Sequence, residues 1–315
     1  MLQPLEAGPR VEEPPTSEAA VEILHCRRGT MLAFRSDQVI SRSLRLYGEW
    51  SEHELSCLRP YVTAGTTVID VGAHIGTHTL AFAQWVASGS VVAVEPQATV
   101  MCLLQANCLL NGLTNVELVN AVCGSGPGEA VVRSFDPTNL GATAFQPDVS
   151  FLGRIRSRLH TRPRRVKTSV PVLRVDDLAG NRQVSLIKID AEGMELSVLS
   201  GARAVLKASR PAIFYEQNDT SQLAAMHDLL VRFNYRLYWL ETHQFNKSNY
   251  RGEPDNIWWR TETGILAIHE SQESPSNLIQ VDTNAIEIPT RYDAREGLSI
   301  MCMVEGDRVD HVRKP

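Results

Sequence analysis

Aromatic residues are scarce, at 6% of the 315 positions, and no apolar run approaches the ~18 residues that would span a bilayer. A membrane-spanning helix is therefore not expected. The first twenty residues lack both a basic start and an apolar stretch, and carry Glu6, Glu12, Glu13, Pro14 and Pro15; they do not read as a secretory signal. None of the six cysteines stands at C-x-x-C spacing, which speaks against a zinc knuckle or a thioredoxin-like motif. They read as reduced, small apolar side chains, and so point to a cytoplasmic protein. The charge is close to balanced, 31 basic against 36 acidic residues, and the net of -5 argues against a nucleic-acid partner.

What is present is the composition of a globular chain, 43% hydrophobic and 21% charged. Residues 1–22 are acidic and contain proline, and read as a mobile tail. Residues 23–270 read as one domain, and residues 271–315 as an extension of unassigned structure. Short extended runs are expected at Val21–Leu24 and Leu44–Tyr47. A helix is expected from Ser51 to Tyr61, with Ser51 as N-cap and Glu54 as its capping-box partner.

From Thr67 the pattern becomes periodic. Mostly apolar runs at Thr67–Val71, Val91–Val94, Val116–Val122, Leu186–Ile189 and Ala212–Tyr215 alternate with helical spacings, and two more strands are expected at Arg236–Leu240 and Gly264–Ile268. Strands apolar on both faces belong to a covered parallel sheet. The chain is therefore expected to be α/β, doubly wound, with its ligands at the carboxyl ends of the strands.

The first strand runs into Asp70-Val71-Gly72-Ala73-His74-Ile75-Gly76, and Thr77 opens the next helix. Gly72 suits a left-handed turn, and Gly76 suits close packing of helix on strand. Glu95 ends the second strand 23 residues after Gly72, where an acid can accept both hydroxyls of a ribose. A dinucleotide fingerprint needs a central glycine, but His74 stands there, and Asp70 would repel a pyrophosphate. S-adenosyl-L-methionine has the ribose, a cationic end and no phosphate. It fits better than NAD, although an NAD-dependent oxidoreductase on this topology remains the rival enzyme. The other rival is a catalytically inactive fold used as a binding module.

The segments VIDVGAHIGTHTLAFA (68–83), VAVEP (92–96), LLQANCLLNGLTNVELVNAV (103–122), LIKIDAEGMELSVLSGARAVL (186–206) and RPAIFYE (210–216), with Phe245-Asn246 and Asp255-Asn256-Ile257, resemble the FkbM family of S-adenosylmethionine-dependent methyltransferases over about residues 45–269. The resemblance implies a Rossmann-like class I methyltransferase fold: a mostly parallel seven-stranded sheet whose last strand is antiparallel. It implies methyl transfer, usually to a hydroxyl of a sugar or natural-product acceptor. It also implies donor contacts from Asp70, Gly72, His74, Gly76, Thr77, Glu95, Pro96, Asn120, Ala121 and Asp190. His74 departs from the family, which most often has asparagine there.

A hydroxyl acceptor must lose a proton to a group within hydrogen-bond reach. The expected acceptor-side residues are Asp190, then Glu216, then His243. Glu192 reads equally as a helix cap, and Lys188 as a paired structural lysine. No metal is expected; Asp190 with Glu192 is the pair that could hold one. The insertion 126–183 contains a basic segment, 153–167, with seven positive charges in fifteen residues and no acid. It reads as a solvated loop, as a lid for an anionic small-molecule or glycan acceptor, or as a nucleic-acid or membrane contact.

Overall fold

The computed structural model describes residues 21–134, 136, 138–147, 169–217, 220–259 and 261–281. The expectations for residues 1–20, for 153–167 and for the end of the chain lie outside these residues. In chain order the described elements begin with β1 (Val21–Cys26), β2 (Gly29–Phe34), α1 (Ile40–Tyr47) and α2 (Glu52–Leu58). They continue through β3 (Thr67–Val71), α3 (Thr77–Trp85), β4 (Ser90–Val94), α4 (Ala98–Leu110), β5 (Val116–Val119) and β6 (Val122–Cys123). The insertion supplies β7 (Gly128–Ser134), β8 (Ala144–Pro147) and β9 (Ser169–Leu173), followed by α5 (Val175–Ala179) and β10 (Val184–Ile189). The chain then forms α6 (Glu195–Ser200), α7 (Arg203–Ala208), β11 (Ala212–Glu216), α8 (Leu223–Val231), β12 (Tyr235–His243), β13 (Thr261–His269) and β14 (Ile279–Gln280).

The main sheet has the order β14-β12-β13-β11-β10-β3-β4-β5. β11, β10, β3, β4 and β5 are parallel, and β13 lies antiparallel between β11 and β12. The expected seven strands are present in the expected arrangement, and the two-residue β14 adds an eighth at the edge. Alternation along the strands divides the core. Ile69, Ile187 and Ile213 pack with Leu178, Val198 and Leu230 of α5, α6 and α8. Val68, Leu186 and Phe214 pack with Leu55 and Phe82 of α2 and α3. Full burial of each such side chain contributes about 1.5–3 kcal/mol. The same period of two puts Asp70, Lys188 and Glu216 on the α2/α3 side of the sheet.

Several local expectations are corrected. Leu44–Tyr47 is the end of helix α1, because Ser41, Ser43, Leu44 and Tyr47 are buried at helical spacing and Asp37 accepts the backbone N–H groups of Val39 and Ser41. Ser51 does not cap α2: its φ is 49°, its hydroxyl donates to Gln244 Oε1 at 3.0 Å, and Glu54 turns inward to His78 Nε2 at 2.9 Å. The strand expected from Val116 to Val122 breaks at Asn120, whose amide donates to the carbonyls of Glu95 (2.8 Å) and Pro96 (3.0 Å). Beyond the break, β6 joins a second sheet of order β6-β9-β7-β8, built largely from the insertion.

The hairpin β1–β2 is fastened to α4 by two asparagines. Asn107 Oδ1 accepts the N–H of Leu32 at 2.6 Å, and its amide donates to the carbonyls of Leu32 and Ile75. Asn111 repeats the pattern on Thr30. Four helical residues rise about 6 Å and two strand residues about 6.6 Å, so the pairs match in spacing.

Candidate active site

A cleft opens at the carboxyl ends of β3, β4 and β10. Gly72 and His74 line it from the first loop, Glu95 to Gln97 from the second, Ala121 to Cys123 from the third, and Asp190 to Glu192 from the fourth. Ile40 of α1 and Gly141, Thr143 and Phe145 of the insertion also line it.

The glycine loop is built around two constraints. Gly72 has φ 77°, and a Cβ there would lie 3.0 Å from the carbonyl carbon of Asp190 and nearer still to its oxygen. No side chain fits between β3 and β10 at this point. Gly76 has φ 96°, and a Cβ would meet Leu104 Cδ1 at 2.6 Å. Gly76 therefore makes room for α4, where close packing on a strand was expected.

Glu95 is buried, 3% exposed, and holds two loops at once. Oε2 accepts the His74 N–H at 3.1 Å, and Oε1 accepts the Gln97 N–H at 2.7 Å. Burial pushes its carboxyl up to about 7 against those two hydrogen bonds. His74 stands at φ 49°, 7% exposed, and neither ring nitrogen has a hydrogen-bond partner among the described residues. Burial lowers its pKa to about 4, opposed by the charges of Asp37 and Asp190, so the imidazole is neutral at pH 7.

Asp190 is paired with Lys188, Nζ to Oδ2, at 3.1 Å. Burial opposes the lysine charge, but Asp190, Asp70, Glu54 and Glu216 outweigh it and raise the ammonium well above its ordinary range. Lys188 is thus the paired lysine that was expected. Glu192 lines the cleft at φ 48°, and burial with the charges of Asp190 and Glu195 pushes it up to about 7. Glu192 does not cap α6, which has no side-chain cap; Glu195 Oε1 instead braces the preceding loop by accepting the N–H groups of Ala191 (3.3 Å) and Gly193 (3.0 Å).

Of the residues named from sequence, Gly72, His74, Glu95, Pro96, Ala121 and Asp190 line the cleft. The others do not. Asp70 is fully buried beneath the loop, where its Oδ2 accepts the Thr79 hydroxyl at 2.6 Å. Gly76 and Thr77 begin α3, and Asn120 secures the backbone after Glu95. Glu216 lies on the α2/α3 side, where carboxylate oxygens of Glu54, Glu216 and Glu262 come within 4.8 Å of one another. The charge of Asp190, then burial and Glu262, hold the Glu216 carboxyl well above its ordinary range. His243 ends β12 and stacks on His53, with ring centroids 5.6 Å apart; burial and His53 lower its pKa. The residues sequence reasoning missed are the roof, Ile40 and Gly141 to Phe145, which no local pattern marks, and Gln97 and Met194, which adjoin motifs already in view.

The parallel sheet with its one antiparallel insertion, and the glycine loop facing an acid at the end of the next strand, are the features of a Rossmann-like methyltransferase fold. The sequence profile of the methyltransferase FkbM domain matches residues 70–237, more than half of the chain, and the protein belongs to that family. A curated relative, Methyltransferase 1 of Beauveria bassiana (strain ARSEF 2860), is 25% identical over 152 residues, which cover 42% of this chain and 57% of the relative. The chain thus spans little more than half of that protein. Among solved structures, a methyltransferase FkbM from Methylobacillus flagellatus KT is similar at 17% identity and TM-score 0.42, over 73% of this chain and 55% of that one. An S-adenosylmethionine-dependent methyltransferase from Agrobacterium tumefaciens is similar at 12% identity and TM-score 0.40, over 80% and 70% of the two chains.

Proposed function

We propose that this methyltransferase takes its methyl group from S-adenosyl-L-methionine and delivers it to a hydroxyl of a sugar or other small-molecule acceptor. The observation that carries the donor is the pairing of Glu95 with His74 in one cleft. A buried carboxylate stands where a ribose would be held, beside a neutral imidazole with both nitrogens unpartnered among the described residues. Buried polar atoms of this kind call for a ligand that satisfies them. Glu95 would take the ribose hydroxyls, Pro96, Ala121 and Val122 would flank the adenine, and Gly72, His74 and Asp190 would face the methionine end. The lack of a central glycine in the loop, with His74 in its place, disfavours the pyrophosphate of NAD.

The donor supplies a methyl group already activated on a sulfonium. The protein's share is orientation of the two reactants and removal of the acceptor proton. Asp190, at the end of β10 and fixed by Lys188, bounds the acceptor side of the cleft. Calorimetric titration is expected to show binding of S-adenosyl-L-methionine and none of NAD; the reverse result would replace the reading with an oxidoreductase. Tritiated-methyl transfer into a native-host lysate, followed by identification of the labelled product, is expected to yield a methyl ether. Donor binding without transfer would favour the binding-module reading.

A further inference from the structure

The loop leaving β10 contains an acid that the fold does not use. Glu192 holds a left-handed backbone, which costs a non-glycine residue about 1–2 kcal/mol. Such strain persists where the surroundings enforce it. Here they do so without help from the Glu192 side chain. Glu195 accepts the N–H groups on either side of it, and Gln222 donates to the Gly193 carbonyl at 3.2 Å. No hydrogen bond or ion pair to the Glu192 carboxylate occurs among the described residues, and that residue lines the cleft next to Asp190.

The other acids and bases nearby are otherwise placed. Asp190 Oδ2 already receives Lys188, and neither Glu216 nor His243 lines the cleft. His74 stands in the glycine loop on the donor side. We propose that Glu192 is the general base of the transfer, accepting the proton of the acceptor hydroxyl. The assignment rests on the hydroxyl-methylation reading above.

In the step, the acceptor oxygen forms a bond to the methyl carbon as the carbon–sulfur bond breaks, and that electron pair stays on sulfur. The hydroxyl proton passes to a Glu192 oxygen. The products are a methyl ether, a neutral thioether and a glutamic acid, which returns its proton to solvent through the cleft mouth. The charged groups facing Glu192 are Asp190 and Glu195, which raise its affinity for a proton, and Lys188, which lowers it. A carboxylate brought close to neutrality is a better base than an ordinary one.

The test uses the full chain and the native-host extract that the wild type labels. Initial rates are compared for the wild type, Glu192→Gln and Glu192→Asp from about pH 5.5 to about pH 9, with donor affinity measured by calorimetry. Glu192→Gln is expected to lose about 10²–10⁴-fold in rate with donor affinity unchanged, and to lose the rise in rate through about pH 7. Glu192→Asp, which keeps the carboxylate, is expected to recover part of the rate and that limb. A glutamine variant within about tenfold of wild type, or an aspartate variant no better than the glutamine one, would overturn the assignment. A wild-type product methylated on nitrogen would instead overturn the hydroxyl reading, and the need for this base with it.

Discussion

Gly72 combines two constraints that can be measured apart. Alanine there must adopt a left-handed φ, at about 1–2 kcal/mol. Its Cβ must also displace the Asp190 carbonyl, and overpacking of this kind costs about 1–3 kcal/mol. Against these, alanine lowers the entropy of the unfolded chain by about 0.4–1 kcal/mol. Gly72→Ala should therefore lose about 1–5 kcal/mol, centred near about 3. Two other glycines separate the contributions. Gly112 has φ 64° with nothing within 4 Å of where a methyl would stand, so Gly112→Ala should cost only about 0.5–1 kcal/mol. At Gly89 no left-handed φ is required, but a Cβ would lie 2.8 Å from the Thr66 nitrogen, so Gly89→Ala should cost about 1–2 kcal/mol after the same entropy gain. Thermal melts should fall in the order Gly112→Ala, Gly89→Ala, Gly72→Ala, at about 2–4 °C per kcal/mol. Only Gly72→Ala should also lose S-adenosyl-L-methionine binding, because only it moves the loop carrying His74 against β10. A Gly72→Ala chain that melts with the wild type and binds donor would refute the reasoning.

Glu95 gives the apo protein a defined pH dependence. Its folded pKa is raised to about 7 from 4.5, so between those values the folded chain holds a proton the unfolded chain has released. Its contribution, about 3 kcal/mol, is full below pH 4.5 and is lost as pH rises through 7. Glu95→Gln cannot accept both backbone N–H groups; it should melt below wild type at low pH, close the gap by about pH 8, and bind donor at least tenfold more weakly, by melts and calorimetry. Thr79→Val removes a hydrogen bond to a buried carboxylate and should cost about 1.5–3 kcal/mol in denaturant titration, with Thr79→Ser near wild type. Lys188→Met leaves Asp190 unpaired beside Asp70, Glu54 and Glu216, and should cost about 3–5 kcal/mol in denaturant titration; a neutral effect would refute the ion pair as a support of this loop.

The sheet was readable because β3, β4, β10 and β11 are short runs of apolar residues, which a parallel sheet covered on both faces requires. Strand β2, Gly29–Phe34, was not, because what fastens its hairpin to the domain is the pair of amides on α4, more than seventy residues away in the chain. The alternation in Leu44-Arg45-Leu46-Tyr47 imitates a strand, whereas Asp37 and the burial of Ser41 and Ser43 make it helical. After β10 the chain forms two helices, α6 and α7, which part at Gly201, where the Gly124 backbone leaves no room for a side chain. In the site, residues at strand ends could be placed from sequence, since topology sends those ends to one edge. Whether a strand-end side chain faces the cleft depends on alternation, which sends Asp70 and Glu216 to the α2/α3 side. The roof could not be placed, because Ile40 and Phe145 line one cleft only after the insertion has folded.

Asn107 ties more together than the hairpin. One hydrogen of its amide serves Leu32, and the amide also reaches the carbonyl of Ile75, inside the glycine loop. A single buried side chain is thus the common joint of the N-terminal hairpin and the donor loop. Aspartate has the shape but not the donors, and leucine has neither donors nor acceptor. Without the hairpin this amide would keep Ile75 and lose both of its bonds to Leu32, so a disturbance of either part is felt by the other.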